Sequence, residues 1–414
     1  MTLVFTAWAI GGYNDWALHL LFLGGLLTFS FSIAPMPITW NGYDRRHSFE
    51  MNIKRLLRLP FFWLGVVFLV YIFIQYINPS VELVRGEGSW WVESISPPLG
   101  RGFPSSVKAD YSEMNALRAL VIHGAALMTV WGILVGIQRR KSALITVWAF
   151  VLSGTLMGFI AILQKFTAGD PNGPQYILWF IESSNPNLWG TFMYRNQGAA
   201  FLILTLIVSG VLYFFYLKRD RMGTGNGAPH FFFYFTVILL SGSVWLALSR
   251  GGIVLGFFLL AVFILFSGIK FIKHFRFGVS SLSGAIFIPT ILLGVVFFSQ
   301  FSDWREIERR AENFKANIES SESYDRILST KATLDMGGDR FYFGWGAGSF
   351  RYIFPVYQRN YDAIWYHHKH PRKGWKGRRY YEYAHNDWAQ FLAEYGIVGL
   401  FIIGLLLLNL IKRI

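Results

Sequence analysis

The sequence predicts an all-α integral membrane fold, a multi-pass helical bundle with one large polar loop before its last span. Apolar runs of bilayer length recur along the 414 residues. Only 15% of the residues are charged against 53% hydrophobic, and the charges gather in particular connecting segments. Soluble domains carry roughly a quarter charged residues, and a helix needs about 20 apolar residues to cross a bilayer.

Spans are expected at about 16–34, 60–77, 117–137, 143–164, 197–217, 231–248, 251–268, 279–300 and 391–411. Alternate connections are basic. Arg45, Arg46, Lys54, Arg55 and Arg58 fall in the first, Arg139, Arg140 and Lys141 in the next, and Lys218, Arg219 and Arg221 in the third. Lys270, Lys273 and Arg276, then Lys412 and Arg413, complete that side, against Asp44, Glu50 and Asp220 alone. This asymmetry is the positive-inside pattern of a cytoplasmic face. The other, non-cytoplasmic face receives 78–116, 165–196, the hairpin Ser249–Gly252 and 301–390. The expected organisation is therefore a bundle of about eight spans over 1–300, a partly helical loop subdomain on the non-cytoplasmic face over 301–390, and a final span within 391–414. A charged, helix-competent stretch from Asp303 to Glu319 opens that subdomain. Residues 1–15 are apolar but too short to span, and they read as an interfacial piece or the remainder of another helix.

The formal net charge of +14 would suggest nucleic acid in a soluble domain. Here its distribution points to membrane lipids instead, and no nucleic-acid partner is expected. Cysteine is absent, which excludes disulfides and thiolate metal ligands. The N-terminus has no basic region followed by a small-residue cleavage site, so no removable signal peptide is expected.

The residues that could carry chemistry lie on the non-cytoplasmic side. Arg195, in Tyr194-Arg195-Asn196-Gln197, sits at the mouth of the fifth span, either as a snorkelling anchor or as a ligand for an anion. Arg250, in Leu248-Ser249-Arg250-Gly251-Gly252, lies between two apolar runs with almost no loop. A guanidinium held there suits bidentate capture of phosphate oxygens, the plainer alternative being a turn residue. His385 precedes the last span, with Asn386 or Asp387 as the natural N-cap. A neutral imidazole there could act as general base, whereas an interfacial hydrogen-bonding role is the plainer one. Asp387, Gln390 and Glu394 follow helical spacing into that span, as a binding stripe or as interhelical hydrogen-bonding groups. The run His367 to Arg379 is basic and free of acids, and reads as a solvated loop or as a surface for anionic headgroups and acidic glycans. No Asp-x-Asp pair, phosphate loop or His-Glu-x-x-His helix occurs, so metal-independent chemistry without a cofactor is expected.

Together these motifs resemble the O-antigen ligase and polymerase superfamily, integral membrane enzymes that transfer glycans from undecaprenyl diphosphate at the periplasmic face. The resemblance rests on Tyr194-Arg195-Asn196-Gln197, on Leu248-Ser249-Arg250-Gly251-Gly252, and on Arg326 followed by Phe343-Gly344-Trp345-Gly346-Ala347-Gly348-Ser349-Phe350. His385-Asn386-Asp387-Trp388-Ala389-Gln390 and Glu394-Tyr395-Gly396 complete it, so that it covers roughly 190–400. It implies that Arg195 and Arg250, assisted by Arg326, hold the lipid diphosphate and that His385 activates the acceptor hydroxyl. Asn196, Ser249, Asn386, Asp387, Gln390 and Glu394 would support them. The family's usual dozen or so spans also leads to the expectation that terminal helices lie beyond this sequence.

The implied partners are an undecaprenyl-diphosphate-linked glycan donor and an acceptor, either lipid A-core in a ligase or the growing glycan in a polymerase. Lipopolysaccharide biosynthesis is the expected setting. A transporter for an anionic solute is the alternative of another class. Ion-coupled carriers place ionisable residues inside spans, yet the fifth to eighth expected spans have none in their interiors, leaving His19, His123 and Glu394 as the few candidates.

Overall fold

A computed structural model describes residues 2–12, 14–34, 39–40, 43–44, 49–167, 175–183, 185, 187–221, 229–275, 321–370 and 374–412. Eight of its helices are long and apolar enough to cross a membrane. They are α2 (Asp15–Ile33), α4 (Pro60–Ile77), α5 (Ala116–Gly136), α6 (Arg140–Thr167), α7 (Arg195–Arg221), α8 (Pro229–Leu246), α9 (Arg250–Phe275) and α13 (Asp387–Ile411). Each matches an expected span, so the protein is a multi-pass helical membrane protein. The span expected at 279–300 and the helix expected from Asp303 to Glu319 lie outside the described residues.

The chain divides into two compact units, Met1–Leu21 with Ile137–Ile307 and Phe22–Gly136 with Glu308–Ile414. In the first unit, α6, α7, α8 and α9 pack on one another, and α1 (Thr2–Trp8) lies against α6. Close helix approach uses small residues, as is usual where lipid tails are as apolar as leucine. Gly154 of α6 receives the Thr205 side chain of α7, and Gly158 faces Leu240 of α8. Buried Phe233, Leu202 and Leu240 fill the centre.

In the second unit, α4 packs against both α5 and α13, and the later turns of α2 reach α5 where Gly25 meets the Ala125 carbonyl. The short amphipathic α3 (Phe49–Leu57) precedes α4, whose start is marked by Pro60 at the first turn. The polar part of this unit is built on α10 (Ser321–Asp339), α11 (Phe350–Gln358) and the short α12 (Asp362–Trp365). They share a core with a three-stranded sheet in the order β4–β3–β5. Numbering the strands along the chain, with β1 (Thr39–Trp40) and β2 (Tyr43–Asp44) before them, these are β3 (Pro79–Gly86), β4 (Ser89–Ser94) and β5 (Ser106–Lys108). The β3 and β4 strands form an antiparallel hairpin, while β5 runs parallel to β3. Val81, Val107, Met336, Phe350, Phe354 and Ile364 are the buried side chains that join sheet to helices. The segment after α4 thus folds onto the large loop, and the start of α13 is part of the same core through Ala393.

Candidate active site

The last span is a broken helix, and the break organises the site. Within α13, Gly396 has φ 62° and ψ −174°, which interrupts the intrahelical ladder between Ala393 and Val398. Backbone groups freed at membrane depth must find partners in protein. The loop Phe341–Gly346 supplies them. Ile397 N donates to Phe341 O at 2.8 Å and Val398 N to Tyr342 O at 3.2 Å. In return, Trp345 N donates to Ala393 O at 2.8 Å and Gly346 N to Glu394 O at 2.8 Å. Gly344, at φ +68°, has no room for a side chain, because a Cβ there would run into the backbone of Glu394 and stand 2.6 Å from Gly396 N. This close backbone approach is what the Phe-Gly-Trp-Gly sequence achieves.

Gln75, fully buried in α4, ties the same joint from the other side. Its amide nitrogen donates to Phe343 O at 3.3 Å and Glu394 O at 3.4 Å, while its Oε1 accepts from Ala347 N at 3.1 Å. Tyr71 OH donates to Tyr395 O at 2.6 Å. The Glu394 side chain is also buried. It accepts from Phe350 N at 3.1 Å and from Gln390 Nε2 at 3.3 Å, and Gln390 Oε1 accepts from Ala384 N at 3.0 Å. Gln390 and Glu394 therefore form a chain of hydrogen bonds from α11 to the residue before His385.

Asn386 caps α13, its side chain accepting from Ala389 N at 3.3 Å, as the sequence suggested. Asp387 begins the helix and is exposed. His385, just outside the cap, adopts φ 58°, a left-handed conformation that costs a non-glycine residue about 1 kcal/mol or more. The surrounding hydrogen bonds hold it there, and Tyr381 meets the ring edge-on at 6.1 Å. Partial burial lowers the pKa of His385 from its ordinary value, and the positive charge of Arg326 lowers it further. The neutral, proton-accepting imidazole is thereby favoured.

Arg326 reaches His385 through the packing of α10. One turn further on, Ser329 Oγ donates to Ala384 O at 3.3 Å, so the two segments lie side by side. Its neighbour Asp325 is buried and forms an ion pair with Arg379 at 2.5 Å. The backbone carbonyl of Arg379 accepts from Gln358 Nε2 at 3.0 Å. The segment entering the His385 turn is thus pinned at Arg379, through both its side chain and its carbonyl.

Arg195 and Arg250 belong to the first unit. Arg195 opens α7, its backbone N donating to Asn187 O at 2.7 Å, and Asn196 and Gln197 beside it are exposed. Arg250 opens α9, and its side chain lies outside the described residues. Buried Ser249 caps that helix, its carbonyl accepting from Ile253 N at 2.8 Å and its Oγ from Gly252 N at 3.4 Å. The two helix starts are neighbours, since a methyl group at Gly252 would stand 3.0 Å from Ala199 Cβ. Ala199 is one turn into α7 and Gly252 is in the first turn of α9, so the arginine positions sit at adjacent helix N-termini.

Residues 235–404 match the family model described as O-antigen ligase. Over this stretch the protein is similar to that family. The match supports the O-antigen ligase and polymerase superfamily, and with it an enzyme that handles glycans in a membrane. The matched stretch includes Arg250, Arg326 and His385, whereas Arg195 precedes it. No curated protein and no solved structure gives a significant match to the chain.

Sequence reasoning missed Gln75 and Arg340. A lone glutamine inside an apolar span and an arginine before an aromatic run carry no local signal of their partners. The β3–β4 hairpin did leave a trace, in Gly86-Glu87-Gly88 between stretches rich in valine and tryptophan.

Proposed function

We propose that the protein is a ligase that transfers a glycan from undecaprenyl diphosphate to a hydroxyl of lipid A-core at the periplasmic face of the inner membrane. The observation that carries this reading is His385, set in a strained turn at a capped helix start, biased towards the neutral form beside Arg326, within the stretch similar to the O-antigen ligase family.

Each unit has its own task. Arg195 and Arg250, at adjacent helix N-termini, bind the diphosphate, where guanidinium groups and helix dipoles both favour negative charge. His385 takes the proton from the acceptor hydroxyl as that oxygen attacks the anomeric carbon. The bond from the anomeric carbon to the phosphate oxygen breaks, and undecaprenyl diphosphate leaves with the bonding electrons. Positive groups in place before the reaction stabilise that charge without a metal. In-line attack inverts the anomeric configuration.

The test is glycan transfer from purified undecaprenyl-diphosphate donor in detergent, with lipid A-core or free glycan as acceptor. Wild-type protein should form the lipid A-core product in chelator, with inverted configuration, and His385→Ala should form almost none. Full activity of His385→Ala removes the histidine as base, and a product of retained configuration removes the single displacement. Chain extension without lipid A-core product would make the protein a polymerase of the same superfamily.

A further inference from the structure

Outside the His385 turn, the second unit contains a cavity of about 440 Å³ between the end of α10, the start of β3 and the loop after β4. It is lined by Arg340, Arg101, Ser80, Ser105 and Phe103 among others, and its floor reaches Gly344. Arg340 lies about 20 Å along α10 from Arg326, taking 1.5 Å per residue. The cavity is therefore separate from the candidate base.

Arg340 is fixed rather than adaptable. Its Nη1 donates to Ser80 Oγ at 2.9 Å and Ser105 Oγ at 2.7 Å, and its guanidinium carbon lies 4.2 Å from the Trp345 ring centre. Trp345 is itself held through Nε1 to Met336 O at 2.9 Å. Among the described residues, nothing engages Nε or Nη2 of Arg340, which leaves three N–H donors for a ligand. Among the described residues no carboxylate pairs with this half-buried cation, and Arg101 adds a second positive charge close to it. The one acid among the described residues of the lining, Asp339, accepts the hydroxyl of Tyr357 at 2.6 Å. Arg101 stands on a built loop. Buried Asn78 donates to Gly100 O at 3.3 Å and Pro104 O at 3.1 Å, and accepts from Leu99 N at 2.7 Å.

The surroundings indicate the source of the anion. The floor at Gly344 abuts Gly396, and from Ile397 to Ile411 the last helix has no charged residue. Phe103, Phe341 and Tyr342 stand exposed around the cavity, the aromatic side chains typical of the membrane–water boundary. An anion that is delivered at that level and tolerates apolar neighbours is the head of a lipid.

We propose that the Arg340–Arg101 cavity binds the phosphate of a phosphorylated lipid headgroup, a site additional to the diphosphate clamp assigned to Arg195 and Arg250. A bidentate guanidinium contact through Nε and Nη2 satisfies the two free oxygens of a headgroup phosphodiester, and Arg101 adds a second positive charge beside them.

The full-length protein is placed in nanodiscs of phosphatidylcholine with and without phosphatidylglycerol, and retained lipid is counted by native mass spectrometry after release into detergent. Inorganic phosphate and phosphatidylglycerol are each compared by thermal shift in detergent. Wild type should retain phosphatidylglycerol in preference to phosphatidylcholine. Arg340→Gln and Arg101→Gln should each weaken that retention by about tenfold, the usual loss with one charge-assisted hydrogen-bonding group. Among the described residues Arg101 makes no internal hydrogen bond, so its variant keeps the test valid should Arg340→Gln fold poorly. His385→Ala should retain the lipid as wild type does, which separates this site from the transfer reaction. Undiminished retention by folded Arg101→Gln overturns the proposal. An Arg101-dependent shift with inorganic phosphate, equal to that with phosphatidylglycerol, overturns the lipid as the source.

Discussion

Gly344→Ala tests whether the Phe-Gly-Trp-Gly loop exists to complete the broken last span. Alanine at φ +68° costs about 1–2 kcal/mol from the left-handed conformation alone. Its methyl group also meets main chain at Glu394 and Gly396, which cannot rotate away as a side chain can. Moving the loop outward stretches the four hydrogen bonds between 341–346 and 393–398. Losing two of them adds roughly 1 kcal/mol each. The expected destabilisation is about 3–4 kcal/mol, the sum of these terms. Gly338→Ala is the control. It lies on the same helix-to-loop segment, in α10, with open space where its Cβ would stand, and should stabilise by up to about 1 kcal/mol. Thermal unfolding of the detergent-solubilised protein, followed by tryptophan fluorescence, should show Gly344→Ala melting several degrees below wild type and Gly338→Ala at or above it. Equal midpoints for Gly344→Ala and wild type would refute the reasoning, since the loop would then have room that the close approach denies.

Three further outcomes are expected. Arg326→Gln removes a positive charge from beside His385, so its pKa should move up towards the ordinary histidine value. The acid limb of the transfer rate should shift to higher pH while the alkaline limb stays in place. The stability consequence has a definite sign. Because the folded state lowers the pKa of His385, its contribution is complete above the ordinary value and is lost as pH falls through the lowered one. Wild type should thus lose stability through that window, and His385→Gln should lose less, as measured by denaturation midpoints at stepped pH. Asp325→Ala strands the Arg379 guanidinium, and should cost about 3 kcal/mol, the low end for a buried pair because both partners keep some exposure. Asn386→Ala removes the cap of α13 and should cost about 1 kcal/mol, readable as a lower melting temperature.

The spans were legible because each is a local property. Pro60–Ile77 coincides with its expected limits, and proline at the first turn explains why. The last helix begins at Asp387 rather than 391, since its first turns are polar and are stabilised by the Asn386 cap and the α10 interface rather than by lipid. His385 was recognisable from its place before a cap, and Arg326 from its family motif. Their proximity was not, because 59 positions separate them and only the packing of Ser329 on Ala384 brings them together.

Sequence by itself determined that this protein crosses a membrane repeatedly, since about 20 apolar residues in a row have no other stable environment. It also supplied the histidine, the arginines and the glycines as candidates. The tertiary structure alone decided that the last span is broken at Gly396, that the glycine-rich loop repairs the break, and that Arg340 faces a cavity with three donors to spare. Those features depend on backbone groups and side chains far apart in the chain, where a few tenths of an ångström separate a hydrogen bond from a clash, and no local pattern of residue types encodes such a distance.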